Sequence, residues 1–321
     1  MSNILLSFCI PTYYRANFIN KTVNHLLQYQ SNEIEIIASD NASPDNTESL
    51  LSKIKDPRFK YNRNKRNLGY DLNLLKCIEM ASGKYLFFLS DDDIVELKEI
   101  SWILEIIKNN DKITQILGSV GDTRIGEKKF YIKFNDEILN AGESSLVKFG
   151  FSKSYAAGTI LKKKSLDLEE AKKFIGFNYM HLVLMFQSMI SGNTLCTSKI
   201  LSFIPKNPAK TRVVMLKGYS AGKIYYHPLS RISQTEFKIK IIEELLKKYP
   251  KAYNILLNYQ KAKAIIQLAD IFYDYPSYFL KVFLKFIKKK EFLNSPKSLL
   301  TFLVTLLKRI IYKIYVIIVR K

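Results

Sequence analysis

The chain has 321 residues, 47% of them hydrophobic, and 50 Lys and Arg against 29 Asp and Glu give it a net charge of +21. That length holds one large α/β domain with an appendage or two modest domains, and the apolar share excludes wholesale disorder. The charge excess calls for an anionic partner, either nucleic acid or an anionic membrane surface.

The first hundred residues alternate short apolar runs with helical patterns. Residues 4–10 predict a buried strand stopped by Pro11, and residues 20–30 carry Val23, Leu26 and Leu27 at helical spacing. A second strand, Glu35 to Ser39, ends on Asp40. Ser43-Pro44-Asp45 then opens a helix through Leu50, Leu51 and Ile54. Residues 59–62 suggest a third strand, residues 71–81 a helix closed by Gly83, and residues 85–89 a fourth strand running into Ser90-Asp91-Asp92-Asp93. A helix is expected over residues 94–107, strands within 115–134 and at 156–161, and a helix over 182–190. A long loop is expected over 203–233, and basic helical sequence from residue 236 onward. Strand and helix in this alternation predict an α/β fold with a mostly parallel sheet, in which ligands bind at the carboxyl ends of the strands. Thr12, Asp40 and the Asp91–Asp93 run all fall at such ends.

The tail separates the two candidate partners. Residues 281–321 hold eleven basic residues and one acid, Glu291, among dense Leu, Ile, Val, Phe and Tyr. Basic and strongly apolar sequence points to an amphipathic helix on an anionic membrane surface rather than to nucleic acid. Its longest uncharged run, residues 298–307, is too short to span a bilayer. Cys9, Cys77 and Cys196 form no CxxC pair and are expected to be reduced thiols. The N-terminus lacks the pattern of a secretory signal, so a cytoplasmic, peripheral protein is expected.

Three stretches carry chemistry. Three adjacent carboxylates at the end of a buried strand repel one another, and a hard divalent cation, Mg²⁺ or Mn²⁺, relieves the repulsion. Asp40, beside a small-residue turn, can accept a hydrogen bond from a base N–H or a ribose hydroxyl. Pro11-Thr12-Tyr13-Tyr14-Arg15 places a hydroxyl, aromatic faces and a guanidinium after the first strand, a suitable wall for a nucleotide.

In order along the chain, Ser7-Phe-Cys-Ile-Pro-Thr-Tyr-Tyr-Arg15, Ser39-Asp-Asn-Ala-Ser-Pro-Asp-Asn-Thr47, Asn67-Leu-Gly69 and the run from Ala81 to Asp93 resemble family-two glycosyltransferases of the GT-A fold, and more loosely their abequosyltransferase-like branch. The resemblance implies a nucleotide site at Pro11, Thr12, Tyr13, Arg15, Asp40, Asn67 and Asp91. It implies a metal site within Asp91, Asp92 and Asp93. Asp92 is the main ligand in one register, and Asp91 and Asp93 form an Asp-x-Asp pair in the other. Where many members carry a Glu-Asp pair with the catalytic base, the count back from Gly192 reaches Met180-His181 instead, so His181 is the candidate base. His227 is a candidate metal or diphosphate ligand. The implied organisation is residues 1–110 as the nucleotide-sugar half and 111–235 as the acceptor half of one GT-A domain, followed by a basic helical region, 236–321.

The implied activity is metal-dependent, inverting transfer of a sugar from a nucleotide-sugar, UDP favoured, to a cell-envelope glycan or lipid-linked acceptor. The rival readings are a membrane-associated nucleotide-sugar-binding or scaffold protein without transfer, and a nucleotidyltransferase. Against the latter, no Gly-rich basic loop follows the first strand.

Overall fold

The computed structural model describes residues 4–123, 130–149, 156–205, 228–274 and 304. The chain divides into two compact units, residues 1–222 and 223–321. In the first, ten strands form one sheet: β1 (Leu6–Thr12), β2 (Ile34–Asp40), β3 (Phe59–Arg63), β4 (Tyr85–Phe88), β5 (Ile94–Val95), β6 (Ile113–Asp122), β7 (Phe130–Ile132), β8 (Glu137–Leu139), β9 (Thr159–Lys162) and β10 (Asn193–Ile204). The order is β3-β2-β1-β4-β9-β6-β10-β5, with β7 on β6 and β8 on β10. The block β3-β2-β1-β4 and the long β6–β10 pair run parallel, and the short strands and β9 are antiparallel.

The helices of this unit are α1 (Ala16–Leu26), α2 (Thr47–Leu51), α3 (Tyr70–Met80), α4 (Ile100–Asn109), α5 (Glu143–Phe149), α6 (Leu168–Lys172) and α7 (Met180–Ser191). Both faces of the parallel block are covered, which is why β1 and β2 read as unbroken buried runs. One core joins Phe8, Ile10, Ile36, Tyr85 and Phe87 to Ile19, Val23 and Leu26 of α1 and to Ile100, Ile103 and Ile107 of α4. The Phe8 and Phe87 rings lie 5.3 Å apart at its centre, and burying such a side chain contributes about 1.5–3 kcal/mol. Helix α3 packs on β1 and β2, and α7 on β6 and β9. In the second unit, α8 (Pro228–Leu245) packs against α9 (Pro250–Asp274).

At the amino-terminal edge of the sheet, Glu35 closes the turn between α3 and β4. It accepts hydrogen bonds from Ser7 Oγ at 2.6 Å, Ser82 N at 2.5 Å and Gly83 N at 3.2 Å, and pairs with Lys60 Nζ at 2.6 Å. Gly83 is required by this close approach, since a Cβ there would lie 2.5 Å from Ser7 Oγ. Burial raises the Glu35 pKa, but the bonds from Lys60, Ser7 and Ser82 outweigh it and hold the carboxyl below its ordinary value.

Two expectations are corrected. The helix expected from residue 94 starts at Ile100, because Ile94-Val95 pair with Phe203 and Ser202 of β10 as a strand. The loop expected from residue 203 begins later, because β10 runs from Asn193 to Ile204; register shifts between Thr197 and Ser202 break the alternation by which a strand is recognised.

Candidate functional site

The pairing of β1 with β4 ends at Cys9 and Phe88, whereas β1 stays paired with β2 as far as Thr12 and Asp40. Pro11, which has no N–H to donate, stands beyond the last β4 pair. The two strands part there, and side chains bridge the opening. Thr12 Oγ1 donates to Asp91 Oδ2 at 2.7 Å. Arg15, at the start of α1, reaches Asp91 Oδ1 with Nη1 at 3.2 Å and Asp92 Oδ2 with Nη2 at 2.5 Å. The side chains of Arg15, Asp91 and Asp92 are at most 2% exposed. Burial pushes the Asp91 carboxyl up to about 6, with the Asp92 charge adding to the rise and Arg15 and Thr12 opposing it. Burial also works against the Arg15 charge, but Asp91 and Asp92 outweigh it and hold the guanidinium protonated.

The Asp93 charge also supports that of Arg15. Asp93 Oδ2 accepts Ser90 N–H at 2.7 Å and closes the turn, while Thr22 Oγ1 donates to the carbonyls of Asp91 and Asp93 at 3.0 and 3.3 Å. Among the described residues no three His, Cys, Asp or Glu side chains gather round one point. Asp91 and Asp92 nevertheless fit a cation: the buried Oδ1 of Asp92 receives neither a hydrogen bond nor an ion pair, Asp91 Oδ1 has only its ion pair with Arg15, and hard oxygen donors suit Mg²⁺ or Mn²⁺.

Asp40, fully buried, accepts Ser43 N–H at 2.9 Å and the Tyr61 hydroxyl at 3.1 Å, with Arg63 Nε 3.4 Å away. Oδ2 serves both Tyr61 and Arg63, so Oδ1 is the oxygen with acceptor capacity left for a ligand. Tyr13 and the exposed Tyr14 continue this wall, their rings 6.4 Å apart. Asn67 faces inward: its Oδ1 accepts from Asn41 Nδ2 at 2.8 Å and Gly69 N at 2.9 Å. It belongs to an amide network that sequence reasoning missed. Asn73 of α3 accepts from Ser39 Oγ and Asn64 Nδ2 and donates to the carbonyls of Ser39 and Thr12. Asn64 also donates to Asn41 at 3.2 Å. Uncharged amides thus fix the ends of β1, β2 and β3 together.

His181 sits in the first turn of α7, 5% exposed, edge-on to Tyr70 at 6.1 Å and 5.8 Å from the Tyr179 ring. Its position is set by Asp71, a residue that no motif or spacing in the sequence singles out. Asp71 Oδ2 accepts the N–H groups of Gly176, Phe177 and Asn178 at 2.9–3.1 Å, and Oδ1 accepts that of Met180 at 3.1 Å. One carboxylate thereby caps α7 and ties it to the start of α3. Burial raises the Asp71 pKa despite those four donors. His25 Nε2 binds the Val95 carbonyl at 2.8 Å and joins α1 to β5. His227 lies outside the described residues.

Residues 7–155 match the model of the family described as glycosyl transferase family 2. The chain thus resembles family 2 glycosyltransferases over residues 7–155, a little under half of its length. It is 26% identical over 200 residues to an abequosyltransferase of Salmonella typhimurium, covering 57% of this chain and 60% of that protein. Over 163 residues it is 26% identical to GalNAc(5)-diNAcBac-PP-undecaprenol beta-1,3-glucosyltransferase of Campylobacter jejuni, covering 44% of this chain and 52% of that one. The chain thus spans between about half and 60% of these relatives' lengths. In three dimensions it is similar to S. aureus TarS 1-349 solved with UDP-GlcNAc, with a TM-score of 0.59 at 14% identity over 84% of this chain and 73% of that one. A mannosyltransferase of Pyrobaculum calidifontis, solved with GDP-Man and Mn²⁺, gives 0.52 at 12% identity over 94% and 84%. These likenesses establish the fold as of the GT-A type, with the parted ends of β1 and β4 at its strand-end edge.

Proposed function

We propose that the protein is a glycosyltransferase that binds a nucleotide-sugar donor at the ends of β1, β2 and β4 and transfers the sugar, with inversion, to a glycan or lipid-linked acceptor. The observation that carries this reading is the meeting of Thr12, Asp91 and Asp92 in the gap between β1 and β4, beside Asp40. Asp40 takes a hydrogen bond from the base or ribose, Pro11 and Tyr13 wall the nucleotide, and Asn67, whose Oδ1 holds the adjoining loop, keeps its amide N–H groups for the nucleotide. Asp92, with Asp91, would hold Mg²⁺ or Mn²⁺, which supplies positive charge to the diphosphate leaving group. Asp93 shapes the turn that presents them.

His181 takes the proton of the acceptor hydroxyl as it attacks the anomeric carbon. The absence of any carboxylate between Glu170 and Glu236 supports this choice. UDP is the first donor class to test, since the TarS neighbour was solved with UDP-GlcNAc. The division at residues 110 and 235 is part of the same reading: the donor site lies before it and His181 after it.

The relatives' names support an envelope-glycan acceptor. The basic, apolar tail, outside the described residues, would hold the enzyme against the inner face of the cytoplasmic membrane. Among the described residues no helix is long and apolar enough to cross a membrane. A chain ending at Ser295 should lose flotation with anionic liposomes and keep nucleotide binding; unchanged flotation removes the tail from the account.

The experiment for the function is a thermal-shift screen of UDP-, GDP-, CDP- and dTDP-sugars with and without Mn²⁺. One nucleotide class should raise the melting temperature by a few degrees, as expected for ligand concentrations well above Kd. Release of the matching nucleoside diphosphate should then depend on an acceptor. No shift with any nucleotide-sugar would overturn the donor assignment; binding without acceptor-dependent release would favour a binding protein.

A further inference from the structure

The carboxylate pair at the end of β4 already has a cation. Arg15 touches both members, Asp91 with one terminal nitrogen and Asp92 with the other, and all three side chains are shut away from solvent. A guanidinium is weakly hydrated and planar, so it is the side-chain cation best suited to such burial. Removing one member of a buried pair is costly because the others lose their counter-charge.

The clamp is nonetheless incomplete. Asp91 Oδ1 is held only by the 3.2 Å ion pair with Arg15, and the buried Oδ1 of Asp92 receives neither a hydrogen bond nor an ion pair, so the guanidinium leaves acceptor capacity unused. Arg15 stands beside a cleft of about 290 Å³ that Tyr14, Asn17, Phe18 and Asp45 also line, and its guanidinium carbon is 4.6 Å from the centre of the Phe18 ring, an aromatic face that accepts a cation.

The charge balance of the trio disfavours a lone metal ion. With both carboxylates ionised, Arg15 leaves the trio with one net negative charge. A divalent ion added alone would turn that into an excess of one positive charge, with two cations crowded onto one pair of carboxylates. A diphosphate arriving with the ion brings negative charge for both, and guanidinium pairs well with phosphate oxygens.

We propose that Arg15 is the standing counter-cation of this site, holding Asp91 and Asp92 until a nucleoside diphosphate and a divalent cation arrive together, whereupon it passes from the carboxylates to the phosphates. Arg15 thereby discriminates against the free ion and couples cation binding to nucleotide binding. This rests on the donor-site reading above and adds an order of assembly to it.

The test uses the full-length chain as wild type, Arg15→Met and Arg15→Lys. Mn²⁺ alone is titrated by the loss of the free-ion electron paramagnetic resonance signal. UDP, GDP, CDP and dTDP are titrated by calorimetry with and without Mn²⁺. Wild type should bind Mn²⁺ alone weakly, and Mn²⁺ should tighten its nucleotide binding about tenfold, within the usual range of coupling between sites. Arg15→Met should bind Mn²⁺ alone about tenfold more tightly than wild type yet bind the nucleotide with Mn²⁺ less tightly. Those opposite signs would not come from general damage, which weakens both. Arg15→Lys, which keeps the charge but cannot bridge two carboxylates, should fall between and serves if the Met variant does not fold. Mn²⁺ affinity unchanged or weaker in both variants overturns the proposal. If no nucleotide binds any form, the donor reading fails while the Mn²⁺ comparison still decides the role of Arg15.

Discussion

The strands β1, β2 and β4 carry buried carboxylates at both ends, and the two ends are finished differently. At the amino-terminal edge, Glu35 meets Ser7, Ser82, Gly83 and Lys60 in one closed set. At the carboxyl-terminal edge, Asp91 and Asp92 share Thr12 and Arg15; Asp91 Oδ1 is held by the Arg15 ion pair, as Glu35 Oε2 is by Lys60, but the buried Oδ1 of Asp92 receives no hydrogen bond and no ion pair. Both oxygens of Glu35 are engaged by its own chain. On the proposed reading, Asp92 keeps one oxygen in reserve for a ligand, and the fold carries the cost of that.

The contrast predicts separable effects. The largest is expected for Asp92→Ala, which should reduce cation-dependent transfer by about 10³-fold or more, a loss typical of removing a main electrostatic stabiliser, with an unchanged circular dichroism spectrum. Full transfer in Mn²⁺ would remove Asp92 from the site. Next, His181→Ala should lower turnover by about 10²–10⁴-fold, the usual weight of a general base, with donor affinity nearly unchanged. A wild-type rate, or a parallel loss of donor binding, would place the base elsewhere.

Asp71→Ala should act on both fold and chemistry. It leaves four N–H groups at the start of α7 without their acceptor, which costs about 2–3 kcal/mol of stability, and it should lower turnover by loosening His181. Unaltered stability in denaturant titration would show that water replaces the carboxylate.

Glu35→Gln should be the mildest, costing about 1–2 kcal/mol with nucleotide binding intact. Because the Glu35 pKa is depressed in the folded state, its contribution is fully present above the unfolded-state value near 4.3 and is lost as pH falls through the lower folded value. Wild-type stability should therefore drop more steeply below about pH 4 than that of Glu35→Gln. Parallel pH profiles would contradict the assignment.

Much of the proposed donor half was legible because its signals are local. Apolar runs marked β1, β2 and β4, and polar residues at their ends marked the candidate site. What stayed hidden depends on contacts between distant residues. Asp71 and the α7 cap are more than a hundred residues apart, and no spacing rule links them. Arg15 looked like a nucleotide ligand, but only the fold brings it onto Asp91 and Asp92, far along the chain. Asp93 looked equivalent to its neighbours until the turn aimed it at Ser90. Asn67 and Asn73 carry no charge or periodicity that marks them as a network. Strand β10 escaped because its bulges scramble a period of two.

The central claim is that the carboxyl-terminal edge of β1, β2 and β4 is a cation-assisted donor site and the opposite edge is not. Calorimetric titration of the nucleotide-sugar identified by the thermal-shift screen, in Mn²⁺, into wild type, Asp92→Asn and Glu35→Gln tests it most directly. The account predicts that Asp92→Asn loses the Mn²⁺-dependent part of the affinity while Glu35→Gln binds as wild type does. Equal Mn²⁺-dependent binding by wild type and Asp92→Asn would contradict it.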